Sequence, residues 1–232
     1  MSVQLTLPIG LRDNISFDNF YAGQNAEVIQ ALKQQWTTAG ESFLYLWGSQ
    51  SSGRTHLLQA ACHYADLLGH HCAYLALDEV ITYGPSVLEG LENLPLVVLD
   101  NLDTIAGNEQ WEEALFGLYN QIHDRQSLLV VAASLPAKQL PFKLADLVSR
   151  LNWGVIYQVK PLNDEEKANA LRLRAKQRGF DISEDVARYT LTHGPRDMRR
   201  LFEFLEKLDQ ASLTEQRKPT LQFVKAQLLA EK

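Results

Sequence analysis

Short apolar runs alternate with amphipathic segments along the first two thirds of the chain. The runs predict buried strands at residues 42–48, 72–78, 94–100, 127–134 and 155–159. Between them, apolar residues recur at helical spacing over 26–36, 55–69 and 109–123. Buried strands that alternate with amphipathic helices are typical of an α/β fold whose parallel sheet is covered on both faces.

Beyond residue 160 the pattern predicts only helices. We expect them at 164–178 behind the capping residue Asn163, from 184 onward, at 196–208 and at 221–229. The charge changes at the same place, because residues 1–159 have a net charge of −9 and residues 160–232 have +3. We therefore predict a mobile tail at 1–15, an α/β core at 16–160 and a small helical domain at 161–232.

The composition is that of an ordinary folded chain. Of the 232 residues, 46% are hydrophobic and 22% are charged, which excludes a disordered or fibrous protein. The apolar runs are far shorter than the roughly 20 residues of a membrane helix, and no secretory leader is evident, so we expect a cytoplasmic protein without membrane contact. A net charge of −6 argues against a protein that mainly coats nucleic acid.

A glycine-rich segment, GSQSSGRT at 48–55, follows the first predicted strand and opens a helix. Its spacing is typical of a phosphate-binding loop, in which backbone N–H groups bind phosphate oxygens and a hydroxyl, here Thr55, holds Mg²⁺. Arg54 stands where the motif usually has lysine. The same composition also fits a plain turn before a helix. The predicted nucleotide-binding residues are Gly48, Ser51, Ser52, Gly53, Arg54, Thr55 and His56.

A second element of a nucleotide site ends the strand at 94–100. Its last residue, Asp100, is an acid that can reach Mg²⁺, usually through water. Taken alone, such an aspartate also fits a helix cap or a turn. Asn101 follows at the position where hydrolases usually carry a second acid, and an amide accepts no proton. We therefore expect slow hydrolysis by the chain itself.

These segments resemble the AAA+ ATPase core of the bacterial replication initiator DnaA. The resemblance rests on the loop at 48–55, on VVLDNLD, and on SFDNFYAGQN at 16–25, DLVSRLNWG at 146–154 and PRDMRRL at 195–201. It extends from residue 17 to about residue 208. The helix-turn-helix domain of the initiator has no counterpart here, so the chain is similar to the Hda family of short DnaA-like regulators. The resemblance implies an AAA+ core with a parallel five-stranded sheet and a helical lid domain.

The resemblance also implies roles for single residues. The segment 17–25 would frame the nucleotide base, through Phe17, Phe20 and Asn25, and Arg196 would sense phosphate. Arg150 would be an arginine finger that acts in trans on ATP held by a DnaA-type initiator. The implied ligand is a nucleoside diphosphate, ADP, with Mg²⁺. Taken alone, Arg150 also fits a surface residue that caps a short helix.

A further resemblance concerns the tail. QLTLP, at 4–8, is similar to the QLxLx peptide with which bacterial proteins dock on the DNA polymerase sliding clamp (β). Gln4 would donate and accept amide hydrogen bonds, and Leu5 and Leu7 would be apolar anchors beside Pro8. The chain would then reach DNA only indirectly, through the clamp, and would associate with the nucleoid. Self-association stays open.

Two function classes follow. The first is a nucleotide-bound, clamp-tethered regulator that stimulates ATP hydrolysis by the initiator and so prevents re-initiation of replication. The alternative is a self-sufficient DnaA-like or helicase-loader-type ATPase that acts on DNA.

Two further acidic residues, Glu112 and Glu113, lie on the predicted helix that follows Asp100. We expect both on the solvated side of that helix.

Overall fold

The computed structural model describes residues 15–37, 40–195, 197–215 and 217–230. The predicted clamp-binding residues Gln4, Leu5, Leu7 and Pro8 lie outside the described residues, as does Arg196. The chain forms two compact units. One comprises the described part of Met1–Phe17 together with Asn25–Lys160, and the other comprises Asp18–Gln24 and the described part of Pro161–Lys232.

The first unit is built on a five-stranded sheet in the order β2-β3-β4-β1-β5. Its strands are β1 (Phe43–Trp47), β2 (Cys72–Ala76), β3 (Leu96–Asp100), β4 (Leu128–Ala133) and β5 (Val155–Gln158). Every strand pair is parallel, so the predicted parallel sheet is confirmed. The carboxyl ends of β1 and β3 therefore lie at the same edge, on either side of β4.

Helices cover this sheet. They are α1 (Ala26–Gln34), α2 (Arg54–Leu67), the single turn α3 (Leu77–Val80), α4 (Glu109–Asp124) and α5 (Ala145–Leu151). One face of α4 places Trp111, Leu115, Leu118 and Ile122 in the main core. Because helices bury both faces of the sheet, its inner strands are apolar at nearly every position instead of alternating.

The second unit contains four helices within its described residues. They are α6 (Asp164–Gln177), α7 (Glu184–His193), α8 (Met198–Glu215) and α9 (Leu221–Ala230). Leu171, Leu201, Phe204 and Val224 are central to its core. Asn163 caps α6 as predicted. The helix predicted to end at residue 208 continues to Glu215.

The segment Asp18–Gln24 lies with the second unit, although we predicted residues 16–160 as one core. Gln177 Nε2 donates to the Asp18 carbonyl oxygen at 3.0 Å. Gly23 sits so close to α6 that a Cβ there would lie 2.9 Å from Glu166 Oε1. These contacts join positions far apart in the sequence, which is why composition did not indicate them.

One prediction about α4 is wrong. Glu113 is exposed as expected, but the side chain of Glu112 is fully buried. Its carboxylate accepts hydrogen bonds from backbone N–H groups of two loops, and these bonds replace the water that a carboxylate requires.

None of the helices in the described part of the chain has the length and apolar character needed to span a membrane.

Candidate nucleotide-binding site

The loop between β1 and α2 has the backbone geometry that its glycines predict. A Cβ on Gly48 would lie 2.4 Å from the Val159 carbonyl oxygen, so no larger residue fits there. Gly53 has a φ of +100° at the N-cap of α2, a conformation that favours glycine. The loop therefore closes tightly between the end of β1 and the first turn of α2.

Polar groups in this loop are arranged for an anion. A glycine N-cap supplies no capping side chain, and the first N–H groups of any helix lack an intrahelical acceptor. Ser52 Oγ and Arg54 Nη1 are buried without a hydrogen-bond partner among the described residues. Buried donors of this kind normally find acceptors. Phosphate oxygens would supply them, so the residues present fit a nucleotide phosphate.

Asp100 lies at the end of β3, fully buried and in direct contact with the start of α2. Thr55 Oγ1 donates to Asp100 Oδ2 at 2.6 Å, and the Tyr74 hydroxyl donates to the same oxygen at 3.1 Å. The Asn101 backbone N–H donates to Oδ1 at 2.9 Å. The sequence prediction that Thr55 and Asp100 act at one place is thus consistent with this geometry, whereas Tyr74 was missed.

Burial raises the pKa of Asp100, while hydrogen bonds from Thr55, Asn101 and Tyr74 and the charge of Arg54 lower it. Because the desolvation effect is the largest of these, the ionised carboxylate is held at a cost. A bound Mg²⁺ would offset that cost, since a divalent cation favours the ionised form. The oxygen donors of Thr55 and Asp100 are of the kind that Mg²⁺ prefers.

Asn101 and Ser134 directly follow the neighbouring strands β3 and β4. Asn101 adopts the left-handed conformation, with a φ of +57°, and its Nδ2 donates to Asp78 Oδ1 at 2.7 Å. The backbone N–H of Ser134 donates to both carboxylate oxygens of Asp103, at 2.9 and 3.0 Å, and its hydroxyl bonds the same carboxylate. Sequence analysis assigned no role to Asp78 or Asp103.

The residues predicted to frame the base are divided between the two units. Phe17 is buried in the first unit, where its ring centroid is 5.8 Å from that of Tyr64. Lys33 Nζ lies 5.3 Å from the centroid of the Phe17 ring. Asn25 is also buried there and exchanges two hydrogen bonds with the backbone of Lys160, at 3.0 and 2.8 Å. Phe20 belongs to the second unit.

The flanks of the phosphate loop differ in their contacts. His56 Nε2 lies 3.1 Å from the Ser16 carbonyl oxygen, which ties the first turn of α2 to the residues before Phe17. Ser51 is exposed, with a φ of +63°. The loop therefore presents its middle to solvent, while its two ends are fixed to the body of the unit.

Arg150 lies in the last turn of α5, whose Leu147 and Leu151 are buried in the main core. Its guanidinium carbon is 5.1 Å from the ring centroid of Trp153, a tryptophan that is 68% exposed. Within the described part of the chain, no carboxylate pairs with Arg150, and none of its contacts is to the phosphate loop or to Asp100. The structure thus places this arginine apart from the Thr55–Asp100 cluster.

Comparisons with known proteins agree with this architecture. The family model described as Hda, lid domain matches residues 164–228. Domain III of the Thermotoga maritima replication initiation protein DnaA is 20% identical, with a TM-score of 0.77 over 95% of this chain and 98% of that one. A replication initiator DnaA bound to AMPPCP and single-stranded DNA is 18% identical, with a TM-score of 0.73 over 89% and 69%.

A third solved structure is the Thermotoga maritima RuvB Holliday junction branch migration motor. It is 15% identical to this chain, with a TM-score of 0.65 over 97% of this chain and 72% of that one. At these identities the solved structures show the fold, and the lid match relates the second unit to one family. The chain therefore has the fold of these DnaA and RuvB structures, and its C-terminal helical unit is similar to the Hda lid domain.

Proposed function

We propose that this chain is a nucleotide-bound regulator that stimulates ATP hydrolysis by a DnaA-type replication initiator. The observation that carries the proposal is Arg150, a half-buried arginine that stacks on an exposed tryptophan and pairs with no carboxylate among the described residues. A cation that is not needed by its own site is available to a neighbouring molecule. The match of the second unit to the lid domain of Hda also supports a regulatory function.

The chain's own ligand would be a nucleoside diphosphate, ADP, with Mg²⁺. The loop glycines, Ser52 and Arg54 would bind the phosphates, and Thr55 and Asp100 would hold the metal, which shields phosphate charge. Asn101 cannot accept a proton from water, and its amide already donates to Asp78. We therefore expect slow turnover by the chain alone, so its bound nucleotide serves structure rather than catalysis.

Arg150 would act on the initiator's ATP. Water attacks the γ-phosphorus, the bond to the leaving β-phosphate oxygen breaks, and ADP and phosphate result. The guanidinium stabilises the negative charge on the transferred phosphoryl group, an effect of 10³–10⁵ in rate for arginine fingers in general. That is about 4–7 kcal/mol of barrier, enough to account for the whole regulatory effect.

The QLTLP segment would tether the chain to the sliding clamp and so bring Arg150 to DNA-bound initiator. Its chemistry suits an extended peptide in a pocket, with one amide and two leucine anchors. The alternative function, a self-sufficient ATPase acting on DNA, is favoured by the fold it shares with RuvB but not by Asn101 or by the net charge of −6.

The test measures phosphate release from initiator-bound ATP labelled at the γ position, with clamp loaded on DNA. Arg150→Ala should lower the stimulated rate by at least about 10³-fold, and Arg150→Lys should restore little because ammonium lacks the planar fork of guanidinium. Arg125→Ala is the control, since Arg125 is an exposed arginine elsewhere in the first unit. Equal rates for wild type and Arg150→Ala would refute the finger and favour a scaffolding role.

A further inference from the structure

A single buried carboxylate joins two loops of the first unit. Glu112 Oε1 accepts from the backbone N–H of Gly107 at 2.7 Å. Glu112 Oε2 accepts from the backbone N–H groups of Lys143 and Leu144, at 2.9 and 2.7 Å. One oxygen therefore holds the loop that leads into α4, and the other holds the residues that lead into α5.

Burying the Glu112 carboxylate costs free energy, which its hydrogen bonds must offset. A carboxylate without water is unfavourable unless it is hydrogen-bonded or paired with a cation. The ammonium of Lys143 does not supply that charge, because it pairs with the exposed Glu109 at 3.2 Å. Three backbone N–H groups stabilise Glu112 instead, and in return the carboxylate fixes the positions of those three groups.

The start of α5 depends on this carboxylate. The helix has only seven residues, and its N-cap residue Leu144 makes no side-chain cap. Helices this short are unstable on their own and need tertiary contacts. Leu147 and Leu151 anchor one face of α5 in the core, while Glu112 holds its beginning and places negative charge near its positive end.

We propose that Glu112 is a positioning residue for Arg150, an inference that rests on the proposed function of that arginine. Releasing the N–H groups of Lys143 and Leu144 would remove the hydrogen bonds that fix the start of α5, and the helix would tilt about its buried Leu147 and Leu151. Arg150 lies in the last turn, so a small tilt moves its guanidinium relative to a partner's phosphates. Misplacement of a catalytic group by about 1 Å can cost on the order of 10²-fold in rate.

The test compares Glu112→Gln with Glu113→Gln, the same change at the exposed neighbour on α4. An amide keeps one acceptor oxygen but turns its NH₂ toward the other set of N–H groups, so one of the two loops is released. Hydrogen exchange of the peptide covering 143–151 should become faster in Glu112→Gln alone. The stimulated hydrolysis rate at saturating protein should fall about tenfold or more, with half-saturation changed little.

A double variant separates positioning from general damage. If Glu112 acts through Arg150, then Glu112→Gln combined with Arg150→Ala should be no slower than Arg150→Ala alone. A further loss in the double variant would overturn the proposal. If Arg150→Ala itself leaves stimulation unchanged, the proposed role of Arg150 as an arginine finger is wrong. The exchange experiment then still reports whether Glu112 fixes the start of α5.

A second variant covers the case in which Glu112→Gln does not fold. Leu144 has a φ of −81°, which proline adopts, so Leu144→Pro removes one donor to Glu112 without changing a buried charge. Leu144→Ala is its control for lost packing. Faster exchange and slower stimulated hydrolysis in the proline variant than in the alanine variant are expected. Equal behaviour of the two variants, or unchanged exchange at 143–151 in folded Glu112→Gln, would refute the role of Glu112.

Discussion

At the scale of single residues, Asp100 combines two opposed requirements. Its position at the end of β3 buries it fully, which disfavours its charge, yet its proposed contact with Mg²⁺ requires that charge. Thr55 and Tyr74 point their hydroxyl groups at one carboxylate oxygen and partly offset the burial. The residue therefore reduces the stability of the fold near neutral pH in return for a nucleotide site.

We predict that Asp100→Asn raises the unfolding midpoint near neutral pH. Burial raises the pKa of Asp100 in the folded chain, so its contribution to stability is full below the ordinary carboxylate pKa and is lost as pH rises through the raised value. Asparagine does not titrate, and its NH₂ can donate to the two hydroxyl oxygens. The gain should vanish in acid, and thermal unfolding across the pH range measures it.

The same variant should lose about tenfold in Mg²⁺-dependent ADP affinity, as expected when a group that holds the metal through water is neutralised. Asp66→Asn, at an exposed carboxylate of α2, should leave both the midpoint and the affinity unchanged. A lower unfolding midpoint in Asp100→Asn, or unaltered ADP affinity, would contradict the account of this site.

How much of the site was readable from sequence differs from residue to residue. Gly48, Gly53 and Thr55 were predicted because one short segment carries their whole pattern. Tyr74 and Glu112 were not, because their roles depend on partners brought near by the fold. Asp100 is 26 residues from Tyr74, and Glu112 is 31 and 32 residues from Lys143 and Leu144.

At the scale of elements, helix α6 is bounded by a reciprocal cap. Asn163 Oδ1 accepts from the Glu166 N–H at 2.9 Å, and Glu166 Oε2 accepts from the Asn163 N–H at 2.9 Å. The sequence predicted Asn163 as the cap, which the structure confirms, whereas the reciprocal bond from Glu166 was not predicted. In contrast α5 was not predicted, because seven residues are too few to establish a helical period.

Asn163→Ala should destabilise the helical unit by about 1 kcal/mol, because the first N–H groups of α6 lose their acceptor. Chemical denaturation followed by circular dichroism measures the change. Arg172→Ala, on the exposed side of the same helix, should alter the free energy of unfolding only slightly. If the two variants have the same stability, the cap contributes nothing measurable.

At the scale of the whole molecule, two sequence signals change where the units change. Apolar strands end and the net charge turns positive near residue 160, and the second unit resumes at Pro161. Neither signal predicted that Asp18–Gln24 belongs to the second unit. It depends on Gln177 and on the close approach of Gly23 to Glu166, contacts that span more than a hundred positions of sequence.

The proposed function divides labour between a tether and a catalytic group, and the two should fail differently. Tethering raises the local concentration of one partner near another, by an amount that reaches the millimolar range for short flexible linkers. Replacing both Gln4 and Leu7 by alanine should therefore raise the concentration of regulator needed for half-maximal stimulation when clamp is present. The maximal rate of ATP hydrolysis by the initiator should be retained, because Arg150 is unaltered.

Titrating each variant against initiator, with and without clamp on DNA, distinguishes the two roles. Without clamp, the Gln4 and Leu7 variant should match the wild type, since no tether operates in either. Arg150→Ala should instead lower the maximal rate at every concentration, because assembly persists while the charge that stabilises the transition state is lost. A reduced maximal rate in the Gln4 and Leu7 variant at saturation would show that these residues affect catalysis as well as tethering. That result would refute the proposed separation of the two roles.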